Sequence, residues 1–228
     1  MIIKIVFLKL KTKGNIAFLL VFSILQLLFI IFSYTKGISN NDLQIIFNLN
    51  CKFFYISTLV VFSTEKTSGF LAKQLSNGLS RKDVFLNNQF HILILAAIYF
   101  LFSSISLYCI SLYVLEDVSV FNRFSVTLLS FIVLAQLAYL FVLFFKKTIY
   151  AVLVPYFIFL GFDINIFEFL LRYDHNNFIY LFPHGLSLSL PQFYNEDYFN
   201  TVILTLMFLI IAIPFLSYYK LIKTSFDD

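Results

Sequence analysis

Apolar residues come in long unbroken blocks along this chain, and the polar residues gather between them. Six blocks stand out: residues 16–34, 45–63, 84–115, 124–145, 148–162 and 201–219. A helix rises about 1.5 Å per residue, so about 20 apolar residues cross the roughly 30 Å hydrocarbon layer. Each block is read as a membrane-crossing helix. The second is interrupted in its outer half by Asn48, Asn50 and Lys52. The third exceeds what a bilayer requires, so its first turns are expected to project from the membrane. The fifth is short and contains Pro155, and the sixth contains Pro214. No run alternates apolar and polar residues over the ~10 positions of a barrel strand, which excludes a β-barrel. The predicted fold class is an all-α integral membrane protein, a single transmembrane domain over residues 1–228.

The polar intervals carry their own patterns. Residues 1–14 hold Lys4, Lys9, Lys11 and Lys13 among apolar positions and are read as an interfacial amphipathic helix reaching for anionic headgroups. The apolar run after it is too long for the core of a signal peptide. Residues 163–200 include apolar pieces too short to cross, "INIFEFLL" and "FIYLF", and are read as re-entrant segments on the outer face.

Residues 64–80 are the most informative interval. Leu71, Leu75 and Leu79 recur every four residues, with Phe70 beside them, while Lys66, Lys73, Gln74 and Asn77 are expected to face elsewhere. Gly78 is a helix stop, and Ser80 to Asp83 has the S-x-x-D form of a capping box before the third span. The pattern predicts a short helix parallel to the membrane, joined through a tight corner to a long span. Such a corner passes force from the short helix into the span.

Composition sharpens the class. Of 228 residues, 61% are hydrophobic and 12% charged. Soluble chains carry about 25% charged residues, so the balance marks an integral membrane protein. The positions of the basic residues set the orientation. With both termini inside, twelve of the sixteen Lys and Arg lie on the cytoplasmic side and Lys36, Lys52, Arg123 and Arg172 lie outside. The expected location is a bacterial inner membrane, with lipid as a partner and no nucleic acid. Cys51 and Cys109 are too few for a disulfide framework and read as core thiols or, less simply, as one bridge.

Candidate chemistry is sparse. No G-x-x-x-x-G-K-[ST] loop occurs, and six glycines give no phosphate cradle. The chain is therefore not expected to be an enzyme or to hold a cofactor. His175 and His184, near Asp174, Glu196 and Asp197, lack metal-ligand spacing, so no metal site is expected. His91, at the start of the third span, has no nucleophile and carboxylate predicted around it, which counts against a membrane-embedded hydrolase. Asn48, Lys52 and Tyr55 fall on one face of the second span. A lysine inside a span is a functional candidate, although snorkelling or a structural pair explains it too. The face is a candidate wall of a translocation path, with Asp163 or Glu168 as counter-charge. Gln136 reads as an interhelical hydrogen-bonding residue, and Ser103, Ser104, Ser106 and Ser111 as close-packing positions.

The pattern E-x-x-x-G, a short amphipathic stretch, then G-x-S-R is carried by Glu65, Gly69, Gly78, Ser80 and Arg81. Together with the layout of the whole chain, it resembles the type-2 permease subunits of ABC exporters. The resemblance implies that residues 64–80 form a coupling helix seated in a cleft of a separate ATP-binding subunit. Glu65, Gly69, Phe70, Leu71, Leu75, Gly78, Leu79, Ser80 and Arg81 would then serve that coupling. It implies a second permease copy, identical or not, and ATP with Mg held in the partner rather than here. Glu65 would contact the partner or cap a helix. The alternative is a non-transporting subunit that relays ATPase work to a cell-envelope or motility assembly.

Overall fold

The computed structural model describes residues 13–36, 40–111, 120–145, 147, 149, 150, 153, 154 and 196–223. The interfacial helix expected before residue 13, most of the expected fifth span (148–162), the outer segments of residues 163–195, and Pro155, Asp163 and Glu168 lie outside the described residues.

Six helices run through the described chain: α1 (Lys13–Lys36), α2 (Asn40–Thr67), α3 (Phe70–Ser76), α4 (Arg81–Ser111), α5 (Val120–Phe144) and α6 (Glu196–Lys223). No strand occurs among the described residues. All but α3 are long and apolar enough to cross a membrane, so this is a multi-pass helical membrane protein. Backbone groups in hydrocarbon have no water to bond, and a helix satisfies them within its own segment. The helices extend beyond several of the predicted blocks: α1 takes in Lys13 and Gly14 of the expected interfacial helix 1–14, and α2 begins before residue 45 and runs past residue 63. The last helix begins at Glu196, so Glu196 to Asn200 continue the crossing helix rather than ending the outer segments. Pro214 lies inside α6 without ending it.

Burial ranks the helices. The apolar window of α5 is 78% buried, against 17% for α1 and 22% for α6, which makes α5 the centre of the bundle. It packs against α2, α4 and α6, while α1 lies across α4 and α2. The outward faces of α1 (Leu20, Ile24, Leu28) and α6 (Leu204, Phe208, Ile211) are exposed, as expected of surfaces that meet lipid.

Lipid tails are as apolar as leucine, so helix association in a bilayer rests on close packing and interhelical hydrogen bonds. Both are visible. A run of aromatic rings crosses the core: Phe22 lies 4.6 Å from Tyr99, Tyr99 4.8 Å from Phe54, and Phe54 4.7 Å from Phe131 between centroids. That run joins α1, α4, α2 and α5, each contact contributing about 0.5–1.5 kcal/mol beyond its buried area. Beside it, the Gln26 amide nitrogen donates to Asn50 Oδ1 at 2.7 Å, and Asn50 Nδ2 donates to Ser103 Oγ at 3.2 Å. Asn50, which interrupts the second apolar block in sequence, thereby staples α1, α2 and α4. Ser103 receives a hydrogen bond as well as allowing close packing.

Cys51 is fully buried and Cys109 half-buried, and both thiols are free. Gln136 is buried, but its amide oxygen has no hydrogen-bond partner among the described residues.

Candidate functional site

The corner between α2 and α4 is built by two glycines. α2 continues to Thr67, so residues 64–67 belong to it, and α3 is seven residues long rather than spanning 64–80. Gly69 takes φ +66° and Gly78 φ +84°, the left-handed region where a side chain costs about 1–2 kcal/mol. Gly69 both stops α2 and opens α3, its carbonyl accepting from Lys73 N at 2.9 Å.

At the other end, Gly78 N donates to the Leu75 carbonyl (3.0 Å) and Leu79 N to the Gln74 carbonyl (3.2 Å). This is the paired Schellman closure of a helix C-terminus. Ser80 then starts α4 with a reciprocal cap. Asp83 N donates to Ser80 Oγ at 3.1 Å, while Ser80 N and Oγ donate to Asp83 Oδ2 at 3.1 and 2.6 Å. Every turn residue from Ser68 to Ser80 is thus held by a local hydrogen bond or by helix. No slack segment separates α3 from either crossing helix.

The elbow is also fastened to the rest of the bundle. In the last turn of α2, Lys66 Nζ donates to the Val142 carbonyl at 2.8 Å and to the Phe145 carbonyl, both at the C-terminal end of α5. At the start of α4, the Arg81 guanidinium donates to the Leu221 carbonyl at 3.5 Å and to the Ile222 carbonyl, near the end of α6. Helix C-terminal carbonyls lack intrahelical donors and carry the negative end of the macrodipole. Two cations, one on each side of α3, therefore close the ends of two other crossing helices.

Beneath the elbow lies a buried polar cluster. His91 is 0% exposed, and its Nδ1 stands 3.5 Å from Oε1 of Glu65, which is 12% exposed. The Phe62 ring meets the His91 ring edge-on at 5.5 Å and the Tyr139 ring at 5.1 Å. Asn88 Nδ2 donates to the Tyr139 hydroxyl at 2.9 Å. A carboxylate, that of Glu65, thus does stand beside His91. No spacing in the sequence signals this pairing, since Glu65 lies in the last turn of α2 and His91 well inside α4.

The other candidate residues scatter. Phe70, Leu75 and Leu79 are half-buried and Gly69 is partly covered, whereas Gly78 and Ser80 are exposed. Leu71 belongs to α3, its side chain outside the described residues. Gln74 is not on an outward face: it is 5% exposed, and neither end of its carboxamide has a hydrogen-bond partner among the described residues. Lys73, Ser76 and Asn77 form the exposed face instead. Tyr55 is fully buried in the core, while Asn48 and Lys52 are half-buried nearer the opposite end of α2. Lys66, Asn88 and Tyr139 carry contacts that the sequence reading did not assign.

α3 is thus joined without slack to α2 and α4, and Lys66 and Arg81 on its two sides bond the ends of α5 and α6. No protein-family model matches the chain, and no curated protein matches it.

Proposed function

We propose that the chain is the membrane-spanning permease subunit of an ABC-type exporter, with α3 as the helix gripped by a separate ATP-binding subunit. The elbow end faces the cytoplasm of a bacterial cell, as the bias of basic residues suggests, and a second permease copy completes the pathway. ATP and Mg belong to the partner. The observation that carries the reading is the short α3, joined without slack to two crossing helices and fastened to the ends of two more. A partner that closes on α3 and shifts it by a few ångströms would rock four spans together. Asn48, Lys52 and Tyr55 then lie away from the elbow, where substrate would leave.

The test is a photo-crosslinking amino acid placed at Lys73, on the exposed face of α3, in the full chain in its native membrane. The expected adduct contains a protein with a G-x-x-x-x-G-K-[ST] loop. Adducts with lipid alone would refute the reading. Recovery of envelope or motility proteins together with the ATPase, without turnover stimulated by any exported compound, would favour the relay role. Within the export reading, Lys52→Ala at unchanged membrane abundance should reduce export; full activity removes Lys52 from the path.

A further inference from the structure

Two ammonium groups from different helices meet at the last turn of α5, on the elbow side of the membrane. From their placement we propose that this corner of the bundle binds the phosphate of an anionic phospholipid. Lys66 of α2 and Lys220 of α6 hold the headgroup, and the lipid-facing side of α6 receives an acyl chain. Such a site stands whether or not α3 is gripped by an ATPase.

Lys66 Nζ donates to the Val142 and Phe145 carbonyls, and Lys220 Nζ lies over the ring of Phe144, 4.9 Å from its centroid. Both cations therefore crowd one helix end, close enough to repel each other. Helix-end carbonyls offer them only partial negative charge. A phosphate offers a full one, and its hydrogen bonds to ammonium groups are of the stronger, charge-assisted kind. The donors suffice. An ammonium carries three N–H groups, of which Lys66 uses two on α5, and a phosphate needs one from each lysine. Both lysines are half-buried, as in a pocket between helices, the setting in which basic side chains seat anionic headgroups.

What lies beside the lysines favours a lipid over a soluble anion. Leu216, Lys220 and Lys223 recur at four and three residues, so they share one side of α6. On that side an exposed leucine lies one turn deeper in the membrane than the first ammonium. Tyr219, exposed near the end of α6, marks the level at which tyrosines meet headgroups. Lys223 stands over its ring at 4.3 Å and donates to its hydroxyl, which keeps another cation at that level. A phosphate held at Lys220 thus has water on one side and, on the other, the apolar Phe144 and Leu216 for its ester chain. A zwitterionic lipid brings a cation of its own, which these lysines repel, so the site selects a headgroup of net negative charge.

The experiment is native mass spectrometry of the full chain released from nanodiscs that hold equal amounts of phosphatidylglycerol and phosphatidylcholine with the same acyl chains. Phosphatidylglycerol should stay bound in preference. Lys66→Gln and Lys220→Gln should each lower its retention about fivefold, and Lys220→Arg should keep it. Lys82→Gln, which removes the same charge from an exposed position on α4, should leave retention unchanged. Glycerophosphoglycerol, the headgroup without its chains, should not displace the lipid when added in excess. Equal retention of the two lipids would overturn the proposal. So would a loss with Lys82→Gln as large as with Lys220→Gln, the mark of a diffuse surface field, or full displacement by the free headgroup, the mark of a soluble-phosphate site. Should Lys66→Gln fail to fold, the contrast between Lys220→Gln and Lys220→Arg decides.

Discussion

Lys66→Met isolates one of the two fastenings of the elbow, because methionine keeps the apolar stem and removes only the ammonium. In the intact protein that ammonium donates to the carbonyls of Val142 and Phe145. A hydrogen bond involving a charged group is worth about 1.5–3 kcal/mol when enclosed, and a cation at a partly buried helix C-terminus adds up to about 2 kcal/mol. Lys66 is only half-buried, so solvent screening trims both contributions. The expected loss is about 2 kcal/mol of unfolding free energy, since the two estimates describe largely the same contact. Reversible unfolding in mixed micelles measures it, and amide exchange locates it. Exchange should accelerate in the last turn of α5 while the ends of α1 and α6 stay protected. Arg81→Ala acts on a different helix, so the double variant should lose the sum of the two single losses within about 0.5 kcal/mol. A loss below about 0.5 kcal/mol for Lys66→Met, with unchanged exchange at α5, would show that the elbow is not fastened there.

Three further outcomes follow from the same structure. Asn50→Ala removes both bonds of the Gln26–Asn50–Ser103 staple and should cost about 1–2 kcal/mol; adding Gln26→Ala should cost less than it does in the intact chain, which a double-mutant cycle in micelles reads. Gly78→Ala places a Cβ where nothing lies within 4 Å, so its cost is backbone strain alone at φ +84°, about 1–2 kcal/mol, visible as a lowered unfolding midpoint. A membrane-permeant maleimide should label the half-buried Cys109 in the folded protein and leave the fully buried Cys51 untouched until denaturant is added, as mass spectrometry of the peptides will report.

The class of this protein was legible from the sequence because hydrocarbon imposes a one-dimensional rule. A segment crosses if enough consecutive residues are apolar, whatever its neighbours do, and the backbone must then be helical. The corner was also written locally: Gly69, Gly78 and the Ser80–Asp83 cap act through bonds that span five residues or fewer. Helix lengths at the corner were less legible, since the polar residues 64–67 continue α2 beyond the apolar block and leave only seven residues to α3.

Tertiary structure alone decided what the polar side chains do. Along the chain, Lys66 read as part of the polar face of the elbow and Arg81 as part of its motif; in the fold they close the ends of α5 and α6, more than seventy positions away in sequence. Gln74 read as outward and is enclosed, and His91 read as isolated and stands beside Glu65. The physical reason is that an apolar stretch reports only that it leaves water. Within a bilayer every helix is apolar nearly all round, so periodicity does not mark which face meets lipid and which meets another helix. Those assignments depend on which carbonyl, carboxylate or ring stands opposite, and only the packed bundle supplies that.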